Sequence, residues 1–325
     1  MRGWTRRCEL SDRLRILLTG ACGYLASQVR PVLGAAHDLR LVDLKDTDAQ
    51  GRPVPGVAVV DLADPDRKKY ARVFQGIDVV IHLAYNRPGG APWGVDLPPI
   101  ERFDGEFVNV RMAQHVYRSA FDAGARRVVM ASSNHAADWH EHTLVHARMR
   151  ETVAPADLPL SDNFYGWTKA SYELLGFVYA CGALGRKLEV VQLRIGAPRD
   201  VSWRHYEGAL SEQHVPPSGS GIENFKRDLG AFISERDFCQ LVQRAVEAPR
   251  IENEHGVPWL VAYGISNNTR AFWSLESARR VLGYDPADDS EITYADDIRR
   301  VLTGPEARAP GGRVGGGRDA GRRPT

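Results

Sequence analysis

The chain has 325 residues, of which 43% are hydrophobic and 26% are charged, a balance typical of a folded globular protein. Its 42 lysines and arginines nearly cancel its 41 aspartates and glutamates, so charge gives no reason to expect a nucleic acid or an anionic membrane as partner. The four cysteines form no CxxC pair, no segment approaches the ~18 apolar residues of a membrane span, and the N-terminus lacks a secretory apolar run, which together favour a cytoplasmic protein.

Seven short apolar runs alternate with longer segments whose apolar residues recur at helical spacing. The runs are LRILLTG, LRLVDL, VAVVDL, IDVVIHLA, ARRVVMASS, KLEVVQLRIG and PWLVAYGIS. The clearest helical segments are Phe107 to Ala123, Tyr165 to Cys181 and Glu235 to Ala248. This alternation predicts an α/β protein with a doubly wound parallel sheet of roughly seven strands, covered by helices on both faces.

Composition and pattern divide the chain into parts. Residues 1–12 are expected to be a flexible leader, and residues 304–325, rich in glycine, proline and arginine, a disordered tail. Residues 13–198, continued by 232–262, are expected to form a nucleotide-binding domain. Residues 199–231 and 263–303 are expected to form a small C-terminal substrate subdomain.

The first apolar run leads through TGACGYLA into a helical segment, which is the arrangement of a dinucleotide-binding turn. Gly20 suits the tight turn, and Gly23 lets the backbone approach a pyrophosphate. The N–H groups at the helix start, next to Tyr24 and Leu25, would bind the phosphate charge.

Asp43 ends the second run, about twenty residues after the glycine turn. A carboxylate at this position accepts hydrogen bonds from the adenosine ribose hydroxyls and repels a 2′-phosphate, so NAD is predicted rather than NADP. Asp61 and Leu62, at the end of the third run, are candidates for the adenine edge.

Tyr165 and Lys169 lie four residues apart at the start of a predicted helix and therefore share one helix face. A phenol is a poor base at neutral pH, and a nearby cation stabilises its phenolate. Ser133, at the end of the preceding strand, could orient a substrate hydroxyl. This combination suits hydride transfer from a carbinol to a nicotinamide.

Together these segments resemble the extended short-chain dehydrogenase/reductase family, which is the NAD-dependent epimerase/dehydratase superfamily, over residues 13–303. The matching pieces are TGACGYLA, LVDL, DLAD, IHLA, the helix with Asn109, MASSN, YGWTK and LRIG. The resemblance implies a Rossmann fold with bound NAD, and a catalytic triad of Ser133, Tyr165 and Lys169.

The resemblance also implies further site residues and an assembly. Asn109 would support the active-site geometry, and Leu83, Ala84 and Ile195, within IHLA and LRIG, would line the cofactor site. In the family, the two helices at 107–123 and 165–181 form a four-helix bundle between subunits, so a homodimer or a higher homo-oligomer is expected.

Within the family, the chain is most similar to uronate dehydrogenases and related NAD-linked sugar dehydrogenases, which oxidise the anomeric carbon of a pyranose to a lactone. The similar segments are SSNH at 132–135, LRIG and YGISNNTRAFW. They imply that Ser133, Asn134 and His135 contact the sugar.

They also imply that an arginine after LRIG binds an anionic group, with Arg204 the first candidate and Arg199 the second. Arg87 is a further candidate for a substrate phosphate or carboxylate. Ala197 stands where uronate dehydrogenases carry a serine, so uronate, neutral aldose and hexose phosphate all remain open as substrates.

Four histidines, at positions 135, 140, 142 and 146, crowd the segment before YGWTK. His142 and His146 have a spacing that could ligate a metal on a helix. No accompanying cysteine or second carboxylate motif supports a metal, so a polar active-site lid is favoured and no metal is predicted.

Three other functions fit parts of the pattern: a nucleotide-sugar epimerase or dehydratase with tightly held NAD, a carbonyl reductase that uses NADH, and a non-catalytic NAD-sensing protein. LRIGAP lacks the asparagine that epimerases carry after the arginine, and the segment before the last strand is short. Both features favour a smaller sugar. The intact set of Ser133, Tyr165 and Lys169 favours an enzyme.

Overall fold

The computed structural model describes residues 13–90, 98–206 and 221–303; the predicted leader and tail lie outside these ranges. One sheet of seven parallel strands forms the centre, in the order β3-β2-β1-β4-β5-β6-β7. The strands are β1 Arg15–Thr19, β2 Asp38–Asp43, β3 Val57–Val59, β4 Val79–His82, β5 Arg127–Ser133, β6 Glu189–Ile195 and β7 Trp259–Gly264. The predicted doubly wound parallel sheet is confirmed, with one strand for each apolar run.

The central strands β1, β4 and β5 are mostly apolar because both faces of the sheet are covered. In β1, Ile16 and Leu18 pack into one core while Leu17 packs into the other, and all three side chains are fully buried. Successive side chains of the strand therefore point alternately into two apolar layers, rather than alternately into the core and the solvent.

Helices cover both faces of the sheet. In the described ranges they are α1 Tyr24–Ala36, α2 Pro99–Asp122, α3 Asp138–His140, α4 Phe164–Ala180, α5 Gly221–Ala231, α6 Glu235–Glu247, α7 Ser290–Thr293 and α8 Ala295–Leu302. Helices α1 and α6 contribute to one core, and α2 and α4 contribute to the other. None of these helices combines the length and the apolarity that crossing a membrane requires.

The helix predicted to start at Phe107 starts earlier, at Pro99. Proline tolerates a first-turn position because the N–H group that it lacks has no intrahelical partner there. The polar residues between Pro99 and Phe107 hid this first part of the helix from the apolar pattern.

The order of the strands reverses between β1 and β4, because β2 and β3 extend to one side and β5 to β7 extend to the other. All strands are parallel, so their carboxyl ends meet at one edge of the sheet. In open α/β sheets, ligands bind in the crevice at this switch point.

A buried ion pair fixes α4 on the sheet. Glu173 of α4 accepts two hydrogen bonds from Arg194 of β6, at 2.8 and 2.7 Å, and both side chains are almost fully buried. Ser132 of β5 donates to the same carboxylate at 2.7 Å, and Arg194 also donates to the hydroxyl of Tyr263 in β7. Since Lys169 lies one turn before Glu173, this pair sets the position of the first turns of α4 relative to the strand ends.

Candidate active site

The turn after β1 accepts only glycine at position 20. Gly20 has φ +69°, and a Cβ atom there would lie 2.6 Å from the backbone nitrogen of Ala84. The loop after β4 comes this close because the Leu83 N–H donates to the carbonyl of Thr19 at 3.2 Å. Gly23 closes the turn by donating to the Gly20 carbonyl at 2.9 Å. The predicted residues Gly20, Gly23, Leu83 and Ala84 therefore form one continuous backbone surface.

Helix α1 begins directly after this turn. Gly23 is its N-cap, and among the described residues no side chain caps the helix start by hydrogen bonding. The first-turn N–H groups therefore remain available, together with the positive end of the helix dipole, for an anionic ligand. Tyr24 is exposed and Leu25 is half-buried at this helix start. This arrangement fits the pyrophosphate of a dinucleotide.

Asp43 lies beside the turn, at the end of β2. Its carboxylate accepts hydrogen bonds from the backbone N–H groups of Cys22 at 2.8 Å and of Leu44 at 2.7 Å. These two bonds fix the half-buried carboxylate, while each oxygen keeps a second lone pair for a ligand hydroxyl. The geometry fits the predicted contact with the ribose.

Asp61 and Leu62, the two candidates for contact with adenine, differ in the exposure of their side chains. Asp61 is exposed and uses its carboxylate to bind the N–H of Ala63 at 2.8 Å, as a turn former does. The Leu62 side chain is buried in the core between the sheet and α2, so only its backbone can face a cofactor. A contact between this pair and adenine stays a prediction.

Asn109 holds the loop after β4 in place. Its side-chain oxygen accepts from the backbone N–H of Asn86 at 2.7 Å, and its amide nitrogen donates to the carbonyl of Asn86 at 2.7 Å. Asn109 is fully buried, so it acts on the site through this loop. Arg87, the next residue of the loop, is exposed.

Lys169 lies buried below the predicted base. Its ammonium donates to the carbonyl of Ala131 at 2.9 Å and lies 5.5 Å from the ring centre of Tyr165. The rings of Tyr85 and Tyr172 are also within 5.3 Å of this ammonium. Burial lowers the pKa of Lys169 to about 8, and the charge of Glu106 opposes the shift.

Glu106 is a site residue that the sequence analysis missed. It is 1% exposed, accepts a hydrogen bond from the Tyr85 hydroxyl and accepts another from the Asn109 amide at 3.3 Å. Burial raises the pKa of the Glu106 carboxyl, while its hydrogen bond from Tyr85 and the charge of Lys169 act in the opposite direction. A glutamate three residues before Asn109, on the same helix face, was the available sequence signal.

Helix α4, which carries Tyr165, packs closely on the segment that follows Ser133. Ser133 is buried, and its hydroxyl accepts from the backbone N–H of His135 at 3.3 Å. A Cβ atom at Gly166 would lie only 2.1 Å from the carbonyl oxygen of His135, so glycine is required there. The rings of His135 and Tyr165 meet edge to face with centres 5.6 Å apart.

Asn134 joins this group to the strand end of β6. In the orientation that satisfies its neighbours, its side-chain nitrogen donates to the carbonyl of Ile195 at 3.0 Å, and its oxygen accepts from Arg227 at 2.5 Å. Ile195 thus lies at the site, and its carbonyl is bound to Asn134. His135 bonds to the carboxylate of Asp138 at 2.7 Å.

The two arginines predicted to bind an anionic group are each paired with an aspartate, and their contact with a substrate stays a prediction. Arg204 is 71% exposed and pairs with Asp200, and Arg199 pairs with Asp228 at 2.5 Å. In the part of the chain that the structure describes, the arginine that contacts Asn134 is Arg227 of α5, which the sequence analysis did not single out. A buried arginine and an exposed one look alike in a sequence.

The histidine segment is held by several different partners. His142 bonds to Asp162 at 2.7 Å, and His146 bonds to Glu141 at 3.2 Å. Among the described residues, Asp138, Glu141 and His142 offer ligand atoms that lie within 4.8 Å of one another. Both oxygens of Glu141 already accept from Arg227, at 2.7 and 3.0 Å, so a guanidinium supplies the positive charge in this cluster.

Comparisons with known proteins agree with this geometry. Residues 16–191 match the model of the NAD dependent epimerase/dehydratase family. An NAD-dependent glucose-6-phosphate dehydrogenase of Haloferax volcanii is 30% identical over 86% of this chain and 95% of its own length. An L-arabinose 1-dehydrogenase (NAD(P)(+)) of the same organism is 30% identical over 85% of this chain and 97% of its own length.

Among solved structures, a mutated uronate dehydrogenase superimposes with a TM-score of 0.67. It is 26% identical, and the alignment covers 96% of each chain. With the family match and the glycine turn, these similarities identify NAD as the cofactor.

Replacing Asp43 with serine is expected to weaken NAD binding and to relax discrimination against NADP. A hydrogen bond to a charged group is worth about 1.5–3 kcal/mol, so the ratio of kcat/KM for NAD to that for NADP should fall about tenfold or more. The ratio is the measurement of choice because loosening the turn at Cys22 would affect both cofactors alike.

Asp46→Asn is the matched control, since Asp46 is an exposed aspartate three residues away. An unchanged cofactor ratio in Asp43→Ser, or a wild-type protein that prefers NADP, would contradict the assignment of Asp43.

Proposed function

The chain belongs to the NAD-dependent epimerase/dehydratase family, and we propose that it oxidises a sugar at the anomeric carbon to a lactone. The observation that carries this proposal is the buried ammonium of Lys169, which lies 5.5 Å from the ring centre of Tyr165. A phenol above a buried cation at the carboxyl edge of the sheet is suited to remove a proton from an alcohol.

The reaction removes the hydroxyl proton and the hydrogen on the anomeric carbon, and the C–O bond becomes a carbonyl. NAD, when bound, supplies the hydride acceptor. Tyr165, as phenolate, takes the hydroxyl proton. Ser133 orients the reacting oxygen, since its hydroxyl can donate while it accepts from the N–H of His135.

Lys169 stabilises the phenolate, because an opposite charge nearby favours the ionised form of an acid. Its hydrogen bond to the Ala131 carbonyl, at 2.9 Å, fixes the ammonium. Glu106 partly offsets the cost of burying that charge. It thereby acts as a positioning residue that keeps Lys169 protonated.

Tyr165→Phe is expected to lower kcat about 10²–10⁴-fold, because it removes the general base while the ring is kept. The affinity for NADH, measured by fluorescence titration, should change little. Tyr179→Phe, on the same helix but within the core, is the matched control and should retain turnover. Near-normal turnover of Tyr165→Phe on a confirmed sugar would refute the catalytic assignment.

Glu106→Gln is expected to move the alkaline decline of kcat/KM to lower pH. The pKa of Lys169 is about 8, so the cation is present below that pH and is lost as the pH rises through it. The Glu106 carboxylate raises this pKa, and its removal must lower it. Buried His82, whose pKa burial lowers to about 3, stays neutral in both proteins over this range.

Asp104→Asn, which removes an exposed carboxylate from the same helix, is the control and should leave the pH profile unchanged. A Glu106→Gln profile that coincides with the wild-type profile would mean that Glu106 does not influence the charge of Lys169.

We expect a homodimer formed through α2 and α4. These helices expose several large apolar side chains, including Phe107, Trp167, Leu174, Phe177 and Val178, and the rings of Phe107 and Trp167 stack on each other. Exposed apolar surface of this kind is typical of an interaction site.

Sedimentation at micromolar concentration should show a dimer, and Leu174→Lys should shift it toward monomer, because Leu174 is 59% exposed at the centre of α4. Ile292→Lys, at an exposed apolar residue of α7, should leave the dimer intact. A wild-type protein that sediments only as monomer would exclude this assembly.

A further inference from the structure

A buried ion pair contacts Asn134, the residue that the family resemblance predicts to bind the sugar. Arg227 of α5 forms two hydrogen bonds with Glu141, from Nε at 2.7 Å and from Nη2 at 3.0 Å. The side chain of Arg227 is 5% exposed and that of Glu141 is fully buried. Nη2 also donates to the side-chain oxygen of Asn134. The ion pair therefore contacts the candidate active site through the side-chain amide of Asn134.

The donors of Arg227 are almost fully used. One edge of the guanidinium is occupied by Glu141, Nη1 faces Asp228 at 3.3 Å, and the ring of Trp273 lies 5.4 Å from the central carbon. A bidentate contact with a substrate carboxylate needs a free edge. Arg227 could provide that edge only by releasing Glu141, which would leave an uncompensated buried carboxylate.

The ion pair also keeps Glu141 ionised. Burial alone would raise the pKa of Glu141, but Arg227 and the hydrogen bond from His146 hold it at about 2. Glu141 therefore carries its negative charge at every physiological pH.

Further carboxylates make the surroundings of Arg227 negative. Asp138 lies 3.8 Å from Nη2, and one of its oxygens is buried without a hydrogen-bond partner among the described residues. Asp228 lies on the other side, where Arg199 neutralises it. His142 is paired with Asp162. A second anion placed here would meet Asp138 and Glu141, while Arg227 is already paired.

The two arginines predicted from LRIG are already engaged by carboxylates. Arg199 and Arg204 are each bound to an aspartate. The two internal segments outside the described ranges, 91–97 and 207–220, contain no lysine or arginine in their sequence.

We infer that the substrate is an uncharged aldose, and that Glu141 determines this specificity by occupying the arginine edge that a sugar acid would need. This inference rests on the proposed function and narrows its substrate to one of the three classes that the sequence leaves open. Asn134, held between the Ile195 carbonyl and Arg227, is then oriented by the ion pair to bind a sugar hydroxyl.

The wild-type full-length chain tests the inference directly. NADH production is measured with glucose, xylose and arabinose, with glucuronate and galacturonate, and with glucose 6-phosphate. At least one uncharged sugar should exceed every anionic sugar in kcat/KM by about tenfold, which corresponds to roughly 1.4 kcal/mol.

A uronate or glucose 6-phosphate oxidised as well as the best uncharged sugar would overturn the inference and leave the proposed function standing; the phosphate result would direct attention to the exposed Arg87. If none of these sugars is oxidised with NAD, the proposed function itself fails, and the inference fails with it.

Glu141→Gln separates the role of the charge from that of the shape. Glutamine fills the same volume and still accepts a hydrogen bond from Arg227, but it no longer neutralises the guanidinium, so the positive charge can attract a substrate anion. The ratio of kcat/KM for the best uncharged sugar to that for glucuronate should fall about tenfold or more. An unchanged ratio in a folded variant would overturn the specificity role of Glu141.

Glu151→Gln, at an exposed glutamate of the same segment, is the control and should keep the wild-type ratio. Because the ranking of sugars by the wild-type chain needs no variant, the inference can be refuted even if Glu141→Gln does not fold.

Discussion

Glu173 holds together the elements that carry the site. Its carboxylate binds Arg194 on β6 and Ser132 on β5, and its backbone carbonyl accepts from the indole of Trp259 on β7 at 3.0 Å. One helical residue is thus bonded to three adjacent strands. If α4 slid or rotated, the buried guanidinium of Arg194 would lose its counter-ion, which would strongly destabilise the protein. Because Tyr165 and Lys169 lie on the same helix as Glu173, these bonds also fix both residues relative to Ser133 at the end of β5.

The features that the sequence predicts correctly are those that depend on neighbours in the chain. The strands could be predicted because a strand covered on both faces forms a nearly continuous apolar run, as the fully buried Ile16 and Leu17 illustrate. Gly20 could be predicted because the turn after such a strand needs a positive φ, which glycine tolerates best. Tyr165 and Lys169 could be paired because a spacing of four residues puts them on one helix face.

Contacts between distant segments could not be predicted in the same way. Tyr85 and Glu106 are 21 residues apart, and only the folded structure shows that the carboxylate is buried beside Lys169. Arg227 and Glu141 are separated by 86 residues. Proximity to LRIG favoured Arg204, whose guanidinium lies at the surface. Charge is visible in a sequence, whereas its burial depends on which segments pack together.

The separation of Glu141 and Arg227 along the chain also bears on how the protein folds. A ribosome releases residues 13–198 before α5, so a nascent chain can contain Tyr165 and Lys169 while Glu141 still lacks its counter-ion. Contacts between distant segments form slowly, because loop closure costs entropy before the contact rewards it. The nucleotide turn is formed by β1, β2, β4 and their loops, so it can organise earlier in synthesis than the contact between Asn134 and Arg227, which requires α5.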